Sequence, residues 1–235
     1  MPFDTTNWSV VLKAAQGDTT DCRAALGTLC ETYWYPVYAF VRRSGHTPTD
    51  AEDLTQAYFA RFLEKEYVKD IRPDEGRFRS FLLVSVRHFL HNERDRDRTL
   101  KRGAGRRPLS LESEEGERLY AREPAEPMTP EVLFERAWLR TILDRTLDRV
   151  AAEHQGDMRG DRFARLRPFL AGDDGSVTYA DVAREWGVGE AAIRVAVHRL
   201  RRRFAQLLRQ EVARTVAEPD DVEEEIRELL RVASR

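Results

Sequence analysis

Arginine side chains are concentrated in one short segment near the C-terminal end of the chain. Residues 190–210 carry six Arg against one Glu, a local charge of +5. Guanidinium groups bind phosphate oxygens and guanine edges through paired hydrogen bonds. A dense row of arginines on one helix therefore favours binding to the backbone and bases of a nucleic acid.

The residues in front of this segment predict how the arginines are positioned. Thr178 to Trp186 has the apolar spacing of a short helix, and Gly187-Val188-Gly189 supplies a tight turn in which glycine tolerates a positive φ. Helix, turn and basic helix together predict a helix-turn-helix whose second helix enters the DNA major groove. The alternative is an ordinary helical hairpin with a solvated basic face.

Apolar side chains on the two predicted helices indicate how these helices pack. The first set is Tyr179, Val182, Ala183 and Trp186, and the second is Ile193, Val197, Leu200 and Phe204. Both sets recur at helical spacing and are expected to pack against each other. The packing leaves a third set for the outer surface: Arg194, Val195, His198, Arg199, Arg201 and Arg202.

The distribution of charge is more informative than its sum, which is only −2 over 235 residues. A second basic stretch, residues 87–107, carries seven Arg and one Lys against three acids. Residues 211–235 instead carry eight acids against four Arg. Two basic patches and an acidic tail therefore cancel in the total, and both patches suit a phosphate backbone.

The fold class predicted from these patterns is all-α, because runs of β-branched residues with period-two alternation are essentially missing. We expect two helical domains joined by a flexible linker, with the helix-turn-helix in the C-terminal domain. The predicted boundaries are 7–98 for the first domain, 99–130 for the linker, 131–216 for the second domain and 217–235 for an acidic amphipathic helix.

Local signals within the first domain predict individual helices. Trp8 to Ala15 is a short helix, a longer helix is kinked or restarted at Pro36, and Thr49 or Asp50 begins the next one. The segment Arg72–Gly76 is a loop. Three aromatic residues of the helix that follows are expected in the core rather than on a stacking surface, because of their spacing: Phe78, Phe81 and Phe89.

The linker and the tail are both rich in acidic residues. The linker begins basic, turns acidic and contains several prolines, so we expect it to bury too little apolar surface to fold alone. In the tail, Val222, Ile226, Leu229 and Leu230 form an amphipathic stripe. We expect this helix to pack on the second domain; the alternative is a regulatory tail that screens the basic recognition helix.

Three features taken together resemble a known family. These are the acidic segment Asp50–Phe59 (DAEDLTQAYF), the helix Phe78–Leu90 (FRSFLLVSVRHFL) and the helix-turn-helix after a linker. Their order and spacing are similar to those of bacterial RNA polymerase sigma factors of the extracytoplasmic-function (ECF) group, which keep only regions 2 and 4. The resemblance covers nearly the whole chain.

The resemblance implies partners and roles for the first domain. The acidic helix would dock on the clamp helices of the polymerase β′ subunit, and core polymerase would also be contacted through its β flap. The implied docking residues are Asp50, Glu52, Asp53, Gln56 and Arg61. The next helix would melt and read the promoter −10 element. The implied DNA-binding residues there are Arg79, Arg87, His88, His91, Asn92 and Arg94.

The resemblance assigns the −35 element to the second domain. The implied contact residues are Arg194, Val195, His198, Arg199, Arg201, Arg202 and Arg203, of which the last three suit phosphate contacts. Ala192 and Val195 stand where Thr and Ser are frequent in the family. The acidic linker would thread the polymerase cleft as a nucleic-acid mimic or serve as a plain tether. An anti-sigma factor or another regulator would be a further partner, and Thr55 is one hypothetical phosphorylation site.

Several other classes of protein find no support in the sequence. The five histidines do not cluster with carboxylates at metal-binding spacing, and no phosphate-binding glycine loop is present, so we expect no metal, no cofactor and no enzymatic activity. No apolar run has the length of a membrane span and no signal peptide is recognisable, which predicts a cytoplasmic protein. The alternative function is a stand-alone helix-turn-helix regulator that never contacts polymerase.

Overall fold

The computed structural model describes residues 20–63, 77–99, 111–123, 128–154, 158–170, 177–216 and 218–233. All secondary structure in these ranges is helical, which confirms the all-α prediction. The predicted helix Trp8–Ala15 and the predicted loop Arg72–Gly76 lie outside the described residues.

Nine α-helices are described, and we number them in chain order. They are α1 (Thr20–Arg43), α2 (Pro48–Leu63), α3 (Phe78–Thr99), α4 (Leu111–Tyr120), α5 (Pro130–Glu153), α6 (Met158–Leu166), α7 (Tyr179–Trp186), α8 (Glu190–Ala213) and α9 (Val222–Ala233). Short 3-10 turns, Arg167–Leu170 and Pro219–Asp221, follow α6 and precede α9. Helix α1 continues through Pro36 as a single element rather than restarting there.

The chain divides into two compact units. Unit 1 comprises Met1–Thr141 together with Val212–Arg235, and unit 2 comprises Ile142–Glu211. The division differs from the predicted one in three respects. Residues 111–123 of the predicted linker, the start of α5 and the acidic tail all belong to unit 1, so unit 2 lies in the sequence between two parts of unit 1.

The core of unit 1 is aromatic. Tyr33, Tyr58, Phe62, Phe78 and Phe89 are all fully buried. The rings of Tyr33 and Phe78 meet edge to face with centroids 5.4 Å apart, and those of Tyr58 and Phe89 do so at 5.6 Å. Such contacts join α1 to α3 and α2 to α3. The expected core positions of Phe78 and Phe89 are confirmed, and Phe81 is half-buried.

Helix α4 lies within the segment expected to be a flexible linker. It packs on α1 and α2: the Glu117 carboxylate accepts hydrogen bonds from Arg42 and from the Tyr38 hydroxyl. Just after α4, the buried Glu123 carboxylate accepts hydrogen bonds from Tyr35 (2.9 Å) and Arg140 (2.8 Å). Residues 111–123 are therefore an integral part of unit 1, because their acidic side chains find specific partners that composition does not reveal.

Helix α9 also packs within unit 1, and not on the second domain as expected. Val222, Leu229 and Val232 are buried, whereas Leu230 of the predicted apolar stripe is exposed. The fully buried Glu225 carboxylate pairs with Arg77 and Arg79 at the start of α3. The apolar stripe predicts which face of α9 is buried, but it does not predict which unit that face packs on.

Unit 2 has its own apolar core. Ile193, Val197 and Leu200 of α8 pack with Val182 and Ala183 of α7, as the sequence predicted. Phe163, Leu166 and Phe169, from α6 and the 3-10 turn, belong to the same cluster, as do Val150 of α5 and Leu207 of α8. Tyr179 and Trp186 lie partly buried against it.

Candidate nucleic-acid interface

The acidic segment forms helix α2, and its start is fixed by a local cap. The Thr47 hydroxyl donates to the Asp50 carboxylate at 2.7 Å, and the Asp50 N–H donates back to that hydroxyl at 3.2 Å. Pro48 occupies the first helical position, where its missing N–H costs nothing. The helix therefore begins at Pro48, one residue before the earliest predicted start, because Thr47 rather than Thr49 supplies the cap.

Three of the predicted docking residues share one exposed stripe of α2. Asp50, Asp53 and Gln56 are exposed, and they recur every three residues along the same face. The Asp53 side chain makes no hydrogen bond or ion pair with another described residue. Two carboxylates and an amide on one helix face suit a partner that offers cations and hydrogen-bond donors.

The remaining two predicted docking residues point elsewhere. Glu52 is only 5% exposed and accepts a hydrogen bond from Gln56 at 3.1 Å. Arg61 pairs with Glu93 of α3 at 2.6 Å, and its guanidinium lies over the Phe89 ring. Arg61 therefore links α2 to α3, whereas Glu52 is bonded within α2. Thr55 is fully buried and its hydroxyl donates to the Ala51 carbonyl at 2.6 Å, so no kinase reaches it in this conformation.

Helix α3 presents most of its predicted DNA-binding residues to solvent. Five are exposed: Arg87, His88, His91, Asn92 and Arg94. Spacings of three and four residues place them on one side of the helix. The side chains of His88 and Asn92 make no hydrogen bond or ion pair with another described residue. This surface combines cations, imidazoles and an amide, which suits phosphates and unstacked bases.

Two exposed members of this surface already have acidic partners. Arg87 pairs with Glu131 of α5 at 2.6 Å. Burial by itself would raise the pKa of Glu131, but hydrogen bonds from its own backbone N–H, from Arg87 and from Thr129 outweigh burial and lower it. His91 lies 3.3 Å from Asp95 one turn along α3. Arg94 reaches the Ser44 carbonyl at 3.4 Å. Exposed pairs of this kind contribute little and can be exchanged for phosphate contacts.

Arg79 differs from the other predicted residues of α3. It is 3% exposed, and its guanidinium pairs with Glu225 of α9 and with Glu135 of α5. Burial by itself would lower the pKa of Arg79, but the hydrogen bonds and negative charge of Glu225 and Glu135 outweigh burial and raise it. The structure places this arginine in the interior of unit 1, away from the exposed surface.

In unit 2, helices α7 and α8 are joined by a turn with defined caps. Thr178 and Asp181 form a reciprocal capping box at the start of α7, and the Thr178 hydrogen bonds lower the pKa of Asp181. Gly187 ends the helix with φ 64° and ψ 33°, the left-handed conformation predicted for the turn. The Val188 N–H then donates to the Ala183 carbonyl at 3.0 Å.

The predicted contact residues of α8 divide into those with a described side-chain partner and those without one. Arg194 lies over the Tyr179 ring, Arg201 donates two hydrogen bonds to the Phe169 carbonyl, and Arg203 pairs with Glu153. The second group consists of Val195, His198, Arg199 and Arg202; all four are exposed, as Arg194 and Arg201 also are. The polar side chains of this second group make no hydrogen bond or ion pair with another described residue. They are available for DNA without loss of any described contact.

Two grooves were not predicted from the sequence. One, of about 380 Å³ in unit 2, is lined by apolar side chains of α6 and α8 and rimmed by Arg162, Arg199 and Arg203. The other, of about 620 Å³ in unit 1, is enclosed by α1, α2 and α4, with Trp34, Gln56 and Leu119 among its lining residues. Each combines elements distant in sequence, which local patterns do not reveal.

In the described ranges, no group of three or more His, Cys, Asp or Glu side chains is arranged to hold a metal ion. None of the described helices combines the length and the apolar character needed to cross a bilayer.

Comparison with protein families supports the interpretation of the first domain. Residues 29–99 match the family model Sigma-70 region 2. The match begins in α1 and ends with α3, and it therefore includes the exposed surfaces of α2 and α3. It supports a sigma factor, with the role in RNA polymerase binding and promoter recognition that region 2 implies. Comparison with curated proteins found no match, and comparison with solved structures found none either.

Proposed function

We propose that this protein is an alternative sigma factor of the ECF group that binds core RNA polymerase and directs it to promoters with −10 and −35 elements. The observation that carries the proposal is the Sigma-70 region 2 match over residues 29–99, which contains two exposed helix surfaces of opposite chemistry. The α2 surface is acidic and the α3 surface is basic. One suits a protein partner with cationic groups, and the other suits DNA.

The α2 surface is the proposed docking site for the clamp helices of the β′ subunit. Asp50, Asp53 and Gln56 supply it, and their even spacing fits a partner that runs along α2. Charged groups on such a surface steer association and fix the register of the complex. Glu52 and Arg61 contribute indirectly, through their contacts with Gln56 and Glu93.

The α3 surface is the proposed −10 site. His88, His91 and Asn92 offer hydrogen-bonding groups to base edges, and Arg87 and Arg94 offer charge to phosphates. The exposed pair between Arg87 and Glu131 opens readily, since pairs of this kind are worth about 1 kcal/mol or less.

Helix α8 is the proposed −35 recognition helix, and unit 2 is the proposed region 4. Arg199 and His198 face outward at positions suited to base edges, and Arg202 is placed for a phosphate contact. The groove beside Arg199 is a candidate docking site for the β flap, because its apolar lining suits a short apolar segment of a partner.

Binding to purified core polymerase tests the proposal. We expect Asp53→Lys to weaken binding to core polymerase by about tenfold or more, because it reverses a charge at the centre of the docking stripe. Asp148→Lys is the matched control, since Asp148 is an exposed acid on α5 in the other unit. Equal affinities for the wild type and both variants would contradict the proposed docking surface. Absence of binding by the wild type, with duplex binding retained, would favour the stand-alone regulator.

A further inference from the structure

Glu225 of the C-terminal helix α9 has an unusual environment for a carboxylate. Its exposed fraction is 0%. One carboxylate oxygen accepts a hydrogen bond from Arg79 Nε at 2.6 Å, and the other accepts one from Arg79 Nη2 at 3.3 Å. The second oxygen also lies 2.6 Å from Arg77 Nε in an ion pair. Two arginines therefore share one buried acid: Arg79 in the first turn of α3 and Arg77 immediately before it.

Three further contacts converge on the same turn of α3. Glu135 of α5 pairs with Arg79 at 3.0 Å, and the Arg79 guanidinium lies 5.1 Å from the centre of the Trp138 ring. The backbone N–H of Phe78 donates to the Thr215 carbonyl at 3.1 Å. The first turn of α3 is therefore held by the start of α5, by the segment after α8 and by α9, all of which belong to unit 1.

The burial of this cluster excludes a direct contact between Arg79 and DNA. A DNA phosphate cannot reach a guanidinium that is 3% exposed and already bonded to two carboxylates. Loss of one partner from a buried ion pair leaves an uncompensated charge, which is strongly unfavourable. The cluster is therefore suited to holding α3 in a fixed position.

We propose that Glu225 is a positioning residue, and that α9 holds the −10 surface of α3 in its working orientation through Arg79 and Arg77. The proposal rests on the proposed sigma function for its effect on transcription, but the mechanical link between α9 and α3 does not depend on that function. In this proposal the acidic tail supports promoter opening by unit 1. The proposal does not include the alternative suggested by the tail's charge, in which the tail screens the basic α8 helix.

The test compares three full-length variants with the wild type. Glu225→Gln removes the charge, and Glu225→Asp keeps the charge on a shorter side chain. Asp220→Asn is the control, because Asp220 is an exposed acid in the turn before α9 whose side chain makes no hydrogen bond or ion pair with another described residue. The readouts are core-polymerase affinity, open-complex formation on promoters mapped with the wild-type holoenzyme, and amide hydrogen exchange.

For Glu225→Gln we expect open-complex formation to fall about tenfold or more, with core affinity within about twofold of the wild type, since the buried pairs hold α3 while α2 binds core. Exchange should quicken in α9 and in the first turns of α3, and should stay unchanged in α2. Glu225→Asp should recover part of the loss, and Asp220→Asn should match the wild type.

Parallel loss of core affinity and open complexes, or a Glu225→Gln chain that does not fold at all, would overturn the positioning role in favour of general stability. Unchanged exchange in α3 would overturn the mechanical link itself. If the wild type binds no core polymerase, the proposed sigma function fails, and the exchange experiment still decides whether Glu225 holds α3.

Discussion

Arg42 of α1 and Glu117 of α4 form a two-point ion pair across 75 positions of sequence. Arg42 Nε donates to one carboxylate oxygen at 2.9 Å and Nη2 donates to the other at 2.8 Å. The Tyr38 hydroxyl donates to the same carboxylate at 2.6 Å. The ion pair connects α4 to α1, the helix in which the Sigma-70 region 2 match begins.

The pair predicts a specific pH dependence of stability. The hydrogen bond from Arg42 lowers the pKa of Glu117. A carboxylate with a lowered pKa in the folded state adds stability above its unfolded pKa, about 4.3, and this stability is lost as the pH falls through the folded value. Glu117→Gln should therefore lower the free energy of unfolding by about 1 kcal/mol at pH 7 and have a progressively smaller effect below about pH 4.

Urea unfolding from pH 3 to pH 7 measures this difference directly. Glu115→Gln serves as the control, because Glu115 is an exposed acid of α4 whose partner, Arg118, lies on the same helix. A difference between the wild type and Glu117→Gln that is independent of pH would contradict the assigned role of the carboxylate.

Two glycines should respond to alanine with opposite signs. A Cβ at Gly116 would lie 2.8 Å from a Trp34 ring carbon and 3.2 Å from a Tyr38 ring carbon, whereas a Cβ at Gly27 meets nothing within 4 Å. Gly27→Ala should raise the free energy of unfolding by about 0.5–1 kcal/mol through helix propensity. Gly116→Ala should lower it by about 1 kcal/mol or more, because the clash exceeds that gain. Stabilisation by both changes would show that α4 does not pack closely on α1.

The arginines of α8 should separate into those that stabilise unit 2 and those that bind DNA. Arg201→Ala removes two hydrogen bonds to the Phe169 carbonyl and should lower stability by about 1–2 kcal/mol. Arg202→Ala should leave stability within about 0.5 kcal/mol and should reduce the salt dependence of duplex binding by about one counterion. Thermal unfolding and binding titrations at several salt concentrations measure the two effects. Equal effects of the two substitutions on stability and on duplex binding would contradict this separation of the arginines into two groups.

Cys30 should react slowly with alkylating reagents. Burial, together with the nearby Glu31 charge, raises the pKa of its thiol to about 11. A raised pKa lowers the thiolate fraction at pH 8, so iodoacetamide should modify Cys30 about 100-fold more slowly than an unperturbed thiol. Mass spectrometry of a Cys22→Ala chain follows this residue alone. Glu31→Gln should speed the reaction, and a wild-type rate equal to that of a small-molecule thiol would contradict the buried setting.

Local patterns predicted the elements of the fold well. The core residues of α7 and α8 and the positive φ of Gly187 follow from helical spacing and from the turn's need for glycine, and both are confirmed. Helical spacing of three and four residues also places Arg79 on the same face of α3 as the buried Leu82 and Val86. It also indicates that Glu52 faces away from the stripe of Asp50 and Asp53.

Long-range pairing was beyond the reach of sequence patterns. The bonds from Arg79 to Glu225 and from Tyr35 to Glu123 join residues 146 and 88 positions apart. Many acids in the chain could satisfy either donor equally well, so charge alone cannot select the partner. For this reason the sequence predicts the tail on the second domain and residues 111–123 within a flexible linker.

The central claim, that this chain gives core RNA polymerase its promoter specificity, is tested most directly by transcription in vitro. Purified chain and bacterial core polymerase are combined on a library of genomic fragments, and the 5′ ends of the transcripts are sequenced. We predict discrete start sites that share two upstream motifs about two helical turns apart, as fixed spacing between two DNA-reading units requires. Transcripts no different from those of core polymerase alone, with no binding of the chain to core, would contradict the claim.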